Sequence, residues 1–261
     1  MPNIRSNWVL NPAFEAHKDE LQTIIDSFGR LGNILLDSRN TIKSVQGQAV
    51  LYNIKSFKPP HLINKIAYRF FRKSKARRSF ENALLLLKNN IQTPAPIAYL
   101  EQYDAIGLTH SYYICAQLTD AFVMTDVLHS PNFPNKEKIV ALYTAFHYQL
   151  HQAHIAFLDN TQGNTLFVQA GNEYTGYLVD LNRMHFDKPL SITQRMQNFA
   201  RLTRSEQIMK LIATEYARLS GANTETLFSI LHNASLQSFA RLDRKKKWKR
   251  FFKSIFKSNK S

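Results

Sequence analysis

The sequence predicts an α+β protein of two lobes, with a β-rich N-lobe over residues 1–117 and a helical C-lobe over 118–240. Three observations carry this expectation. Short β-branched and aromatic runs, bounded by Pro, Gly and Asn, dominate the first half. Apolar residues at three- and four-residue steps dominate the second. A length of 261 residues with 44% hydrophobic content is enough for one sizeable core or one two-lobed unit.

The elements follow in chain order. Ala13 to Phe28 reads as an opening helix. Ala49 to Phe57 reads as a strand that carries Lys55 near its end and stops at Pro59-Pro60. Lys75 to Asn89 reads as a helix, with Phe80, Ala83, Leu84 and Leu87 as its apolar stripe. Glu81 borders that stripe and is the sole acidic residue between Asp37 and Glu101. If Lys55 pairs with a carboxylate of the following helix, Glu81 is therefore the candidate; otherwise Glu81 is a solvated helix residue. Thr93-Pro94-Ala95-Pro96 is a rigid extended connector into a strand at Ile97 to Leu100. Tyr112 to Gln117 is the next strand, and Gln117-Leu118-Thr119 the expected hinge. Lys136 to His154 is a long helix with Val140, Tyr143, Phe146 and Leu150 on one face. Thr165 to Val168 and Tyr177 to Val179 are strands flanking a Gly/Asn turn. Helices then run over Ile192 to Thr203, Ser205 to Leu219 and Thr224 to Arg241.

Four residues fall in the order needed for phosphoryl transfer: Lys55, Asp159, Asn164 and Asp180. In the run Phe157 to Phe167, Asp159 precedes Asn164 by five positions, and the next strand ends at Asp180. That is the layout of a kinase catalytic loop followed by its metal-binding Asp. The reaction needs an acceptor hydroxyl held in line and Mg²⁺ to neutralise phosphate oxygens. Asp159 is the expected base. Asn164 and Asp180 supply the hard oxygen ligands that Mg²⁺ prefers. Lys55 is expected to hold the α/β-phosphates, oriented by Glu81. The plain alternative for the Asp159 run is a turn rich in turn-forming residues.

The matching stretches extend beyond these four residues. They are Ser38 to Lys43, Ile54 to Pro60, Ser74 to Ala83, Thr93 to Pro96, Asp159 to Leu166 and Leu178 to Met184. Over about Gly32 to Phe186 the chain resembles the lipopolysaccharide kinases, which phosphorylate Kdo or heptose of the inner core. The resemblance implies a protein-kinase-like fold, ATP and Mg²⁺ as cofactors, and a lipid A-core glycolipid as acceptor. The chain departs from protein kinases in three places. No Gly-x-Gly-x-x-Gly precedes Lys55, Phe157-Leu158 stand before Asp159 in place of His-Arg, and Leu181-Asn182 follow Asp180 in place of Phe-Gly. A pseudokinase that binds a partner, and a kinase for another acceptor, remain as alternatives.

Charge adds a second signal. The net charge is +15, and residues 241–261 hold ten Lys/Arg against Asp243 alone. Trp248, Phe251, Phe252, Ile255 and Phe256 recur there at helical steps, the pattern of an interfacial helix on an anionic membrane surface. A nucleic-acid arm and a solvated tail are the alternatives; no nucleic-acid fold motif accompanies the first. A second basic-aromatic stretch runs from Ile63 to Arg78. The single Cys115 excludes a disulfide framework and reads as a core thiol. His147 and His151 share zinc spacing but lack a third ligand, so polar positions near the helix end are expected for them. With no signal segment and no membrane-spanning run, the expected location is cytoplasmic, peripheral on the inner membrane.

Overall fold

The computed structural model describes residues 4–258, with the side chains of 249 and 251–258 outside the description. The chain divides into two compact units, Met1–Ala121 with Tyr177–Met184, and Phe122–Gly176 with His185–Ser261.

The first unit is built on a six-stranded antiparallel sheet. Its strands are β1 (Arg5–Leu10), β2 (Asn33–Asp37), β3 (Thr41–Gln46), β4 (Leu51–Phe57), β5 (Pro96–Tyr103) and β6 (Leu108–Ala116), in the order β1-β5-β6-β4-β3-β2. Strand β1, which has no counterpart in the sequence reading, closes one edge by placing Trp8 opposite Leu100. The register sets Lys55 between Ile42 of β3 and Tyr113 of β6. A one-residue slip would send every side chain of β4 to the other face.

Helix α1 (Lys18–Asp26) buries Leu21, Ile24 and Ile25, an i, i+3, i+4 stripe, against Val45, Tyr52, Ile54, Ile97 and Ile114. Helix α2 (Leu62–Phe70) has no buried residue. Helix α3 (Lys75–Lys88) starts at Ser74, whose hydroxyl accepts from the Arg77 amide at 3.1 Å. Its apolar stripe differs from the expected one. Ala76, Ser79, Phe80, Ala83 and Leu86 are buried, and Leu84 is turned out to 38% exposure. The small residues at 76, 79 and 83 make up the packing face, and this choice of face excludes Leu84. Cys115 is a buried thiol, pushed up to about 12 by burial.

The second unit contains β7 (Ala121–Val123), α4 (Met124–His129), α5 (Lys136–Gln152), β8 (Ala156–Phe157), β9 (Thr165–Ala170), β10 (Glu173–Leu178) and β11 (Met184–His185), some of whose ends reach the unit boundary. It continues with α6 (Ile192–Asn198), α7 (Glu206–Ser220) and α8 (Thr224–Ser258). Gly171, with φ +60°, makes the tight β9–β10 turn that a side chain would strain. The core joins Val140 and Tyr143 of α5, Met196 of α6, Ile212 and Tyr216 of α7, and Leu227 and Leu231 of α8.

Three helix boundaries move: α1 starts at Lys18, after a 3₁₀ segment over Pro12–His17, instead of at Ala13, and two others shift at their C-terminal ends. Helix α6 stops at Asn198 instead of Thr203, and α8 continues through Arg241 to Ser258. No Gly or Pro interrupts residues 241–258, and Lys, Arg and Leu are good helix formers. Ser235 donates to the Thr203 carbonyl at 2.9 Å, and Arg204 pairs with Asp243 at 2.8 Å while lying over the Phe239 ring. Trp248 is 64% exposed; the apolar face expected from Phe251, Phe252, Ile255 and Phe256 lies outside the described side chains.

Candidate active site

In the first unit the site starts from Lys55. Its side chain leaves β4 nearly buried, and its Nζ donates to Asp180 Oδ1. The ammonium also lies 5.2 Å from the Phe57 ring centroid. Asp180 follows β10 in the left-handed region, φ +59°, which Asp tolerates better than most residues. Its segment is tied to the same unit by three hydrogen bonds. The Leu178 amide donates to the Gln92 carbonyl at 3.0 Å, Thr93 Oγ1 to the Leu178 carbonyl at 2.8 Å, and Asn82 Nδ2 to the Leu181 carbonyl at 2.6 Å. Asn182 Nδ2 adds a bond to Asp180 Oδ1 at 2.8 Å. The backbone at 178–181 is therefore anchored while the Asp180 carboxylate stays 35% exposed.

The expected Lys55–Glu81 pair is not formed. Glu81 bonds Lys73 at 2.7 Å and Arg77 Nε at 2.9 Å. Burial pushes its pKa up, but those two bonds outweigh this, and the net shift is downward. Arg77 lies one helical turn before Glu81, on the same face, and so does not have to be brought together by the fold. Asp180 takes Lys55 in its place. Asn82 and Thr93, which position the Asp180 turn, fall in stretches named from the sequence but without a role there; a helix Asn and a Thr before Pro carry no periodic signal.

In the second unit Asp159 follows β8 with its side chain 20% exposed, and Arg201 approaches its Oδ1 at 3.9 Å. Asn164 Nδ2 donates to the Asp159 carbonyl at 2.8 Å. The five-residue spacing thus closes the loop on itself and leaves the Asn164 amide oxygen as a hard donor. Asn160 is buried and accepts from Tyr143 Oη. Its Nδ2 reaches Asn198 Oδ1 at 3.4 Å, and Asn198 Nδ2 donates to the Phe157 carbonyl at 2.8 Å.

His151 Nε2 lies 3.3 Å from Asn198 Oδ1, and His151 Nδ1 lies 3.0 Å from Tyr216 Oη. A neutral ring protonated at Nε2 satisfies both, donating to Asn198 and accepting from Tyr216. This Tyr–Asn–Asn–His network braces a loop that lacks the His-Arg of protein kinases. Burial pushes His151 down to about 4 and His147 well below its usual range. His147 packs on Tyr143 and Phe199, with both ring nitrogens buried and without a hydrogen-bond partner. These two histidines belong to the core and do not form a metal edge.

Among the described residues no three His, Cys, Asp or Glu side chains cluster as a metal cage. Mg²⁺ does not require one: it takes one or two protein carboxylates and completes its shell with waters and phosphates. The Asp180 carboxylate in the first unit and the Asn164 amide oxygen in the second are each donors of the right hardness for Mg²⁺, and Lys55 is a cation suited to phosphate.

No family model matches the chain, and no curated protein sequence is similar to it. Among solved structures, WaaP in complex with acyl carrier protein aligns with a TM-score of 0.60. The alignment covers 92% of this chain and 98% of that one at 14% identity. The fold is protein-kinase-like. A second neighbour is the Rio2 kinase–ADP/Mg²⁺–phosphoaspartate complex from Chaetomium thermophilum, with a TM-score of 0.46 and 14% identity over 85% and 75% of the two chains.

Proposed function

We propose that the protein is an ATP- and Mg²⁺-dependent kinase that phosphorylates a sugar hydroxyl, of Kdo or heptose, on the lipopolysaccharide inner core at the cytoplasmic membrane face. The observation that carries the reading is the ion pair between Lys55 and Asp180, 125 positions apart. A phosphate-binding cation and a metal-binding carboxylate neutralise each other there until nucleotide and metal take their places. In this role Lys55 neutralises the α/β-phosphates, and Asp180 and Asn164 offer oxygens to Mg²⁺, which supplies charge neutralisation of the phosphate oxygens. Asp159 accepts the acceptor hydroxyl's proton. Glu81, committed to Lys73 and Arg77, contributes to the first turns of α3 and not to Lys55.

The acceptor class rests on the stretches shared with lipopolysaccharide kinases and on the basic C-terminal segment. No helix among the described residues is long and apolar enough to cross a membrane. A surface-bound enzyme is consistent with nine of the fifteen net positive charges lying in residues 241–261. Each base near an anionic bilayer contributes about 1 kcal/mol of attraction. A protein partner is a second reading, favoured by the capture of WaaP with acyl carrier protein.

The test is ATP consumption by the purified chain with Mg²⁺, with and without lipopolysaccharide precursors, beside Asp159→Ala. Turnover that needs both the glycolipid and Asp159 is expected. Equal turnover in the variant, or none in the wild type with any precursor, overturns the assignment.

A further inference from the structure

The stretch from residue 38 to 80 holds eleven Lys/Arg and no Asp or Glu. Part of it surrounds a cavity of about 220 Å³ beyond the end of β4, lined by Arg39, Lys58, His61, Lys75, Tyr68 and Ser111 among others, with no acidic residue in its wall. Its size is below the roughly 300–1,000 Å³ of sites that engulf a drug-sized ligand, so it takes one group and not a whole molecule. Lys75 is the first residue of α3, where the helix dipole also favours an anion. Burial, then the charges of Arg39 and Arg78, lower the Lys75 pKa, and Asp180 and Lys55 are near enough to act on it too. Arg78 Nε is buried without a hydrogen-bond partner. The nearest acids along the chain are engaged, Asp37 by Thr41 and Glu81 by Lys73 and Arg77.

We propose that Arg39 and Lys75 frame a binding subsite for a phosphate group, beside the Lys55–Asp180 pair. In a chain without a Gly-rich loop, side-chain cations of the β2–β3 turn and of α3 supply the donors that backbone amides supply elsewhere. The phosphate comes either from the nucleotide tail or from the acceptor. The test is calorimetric titration of the full chain with inorganic tripolyphosphate, comparing Arg39→Ala/Lys75→Ala with Lys55→Met. Affinity is expected to fall at least about tenfold in the double variant, a loss that one hydrogen bond to a charged group suffices to cause. A matching fall in ATP affinity assigns the nucleotide as source; unchanged ATP affinity with a raised KM for glycolipid assigns the acceptor. Equal tripolyphosphate affinity in wild type and double variant, or no binding by wild type, overturns the subsite. Binding without turnover would count against the kinase reading alone.

Helix α2 carries an independent inference, because it is amphipathic the wrong way round for a monomer. Its basic side is held to the protein: Lys65 pairs with Asp104, and Arg69 donates to the Ala105 carbonyl. Gly107 lets the helix approach, since a Cβ there would sit 2.4 Å from the Lys65 carbonyl oxygen. The apolar side faces outward, with Ile63 and Phe71 each 83% exposed and Leu62, Ile66 and Phe70 beside them. Arg72, next to Phe71 in the chain, is exposed, while Lys73 is held by Glu81. Exposed apolar side chains beside a cation, on a chain of net charge +15, complement an anionic bilayer, with acyl chains taking the apolar groups and lipid phosphates the base.

We infer that α2 docks the first unit on an anionic lipid surface, separately from the C-terminal segment. The test is sedimentation with phosphatidylglycerol/phosphatidylcholine vesicles, using the full chain and a chain ending at Arg244. Ile63→Asp/Phe71→Asp is expected to lower the bound fraction several-fold in both, without moving Tm. Unchanged binding of the shortened chain in that variant overturns the inference. So does a wild-type dimer that the variant abolishes, because a second copy then occupies the face.

Discussion

Lys55 and Asp180 meet because β4 presents a lysine to a segment anchored from three sides, and each partner is individually unremarkable in sequence. Removing the carboxylate proposed as base tests the chemistry most directly. Asp159→Ala is expected to lower kcat about 10²–10⁴-fold, the usual contribution of a positioned base, with circular dichroism unchanged. Asp180→Ala should abolish the thermal shift produced by Mg²⁺·ATP; a full shift in that variant would remove Asp180 from the metal site. The two buried histidines predict a pH effect. Their folded pKa values lie below the ordinary 6.5, His151 at about 4. As pH falls through 6.5 the unfolded chain takes up protons that the folded chain refuses, so stability declines from there down to about pH 4. For His151 the full decline is roughly 3 kcal/mol. His147→Leu should be neutral or stabilising at pH 7 and should flatten part of this slope, since it deletes an unsatisfied buried group. Urea unfolding at pH 7 and about pH 5 reads both effects.

At the scale of elements, α8 does two things along one helix. Up to Asp243 it belongs to the folded unit, through buried Leu227 and Leu231, Ser235 to Thr203 and Asp243 to Arg204. Beyond it, the described side chains are exposed. Ending the chain at Arg244 should therefore leave Tm within about 2 °C, because surface changes away from the core move stability by ±0.5 kcal/mol or less. Vesicle binding should fall. A chain ending before Leu227 should lose the cooperative unfolding of the helical unit. Helix periodicity made α1, α3, α5 and α7 legible, since each buries one stripe. The same reasoning missed α2, whose polar side is the one held to the protein, and misjudged the face of α3, where small residues take the packing positions.

For the whole molecule, a net charge of +15 makes attraction to any anionic surface strongly dependent on salt. Raising ionic strength should release the protein from anionic vesicles while ATP binding, which uses groups in close contact, changes little. Parallel loss of both would count against separate membrane and nucleotide surfaces. The order Lys55, Asp159, Asn164, Asp180 and the α+β class could be read from the chain alone, because residue types, spacing and hydrophobic period are local properties. The ion partner of Lys55 could not. Glu81 is the closer acid in sequence, yet its carboxylate is taken by neighbours of its own helix, and Asp180 is delivered by a turn tied to Gln92, Thr93 and Asn82. The Asn160–Asn198–His151 brace and the cation-lined cavity were equally hidden, because they join groups far apart in sequence. Such pairings depend on which side chains the packed backbone brings within hydrogen-bond distance, and that distance is set by tertiary structure.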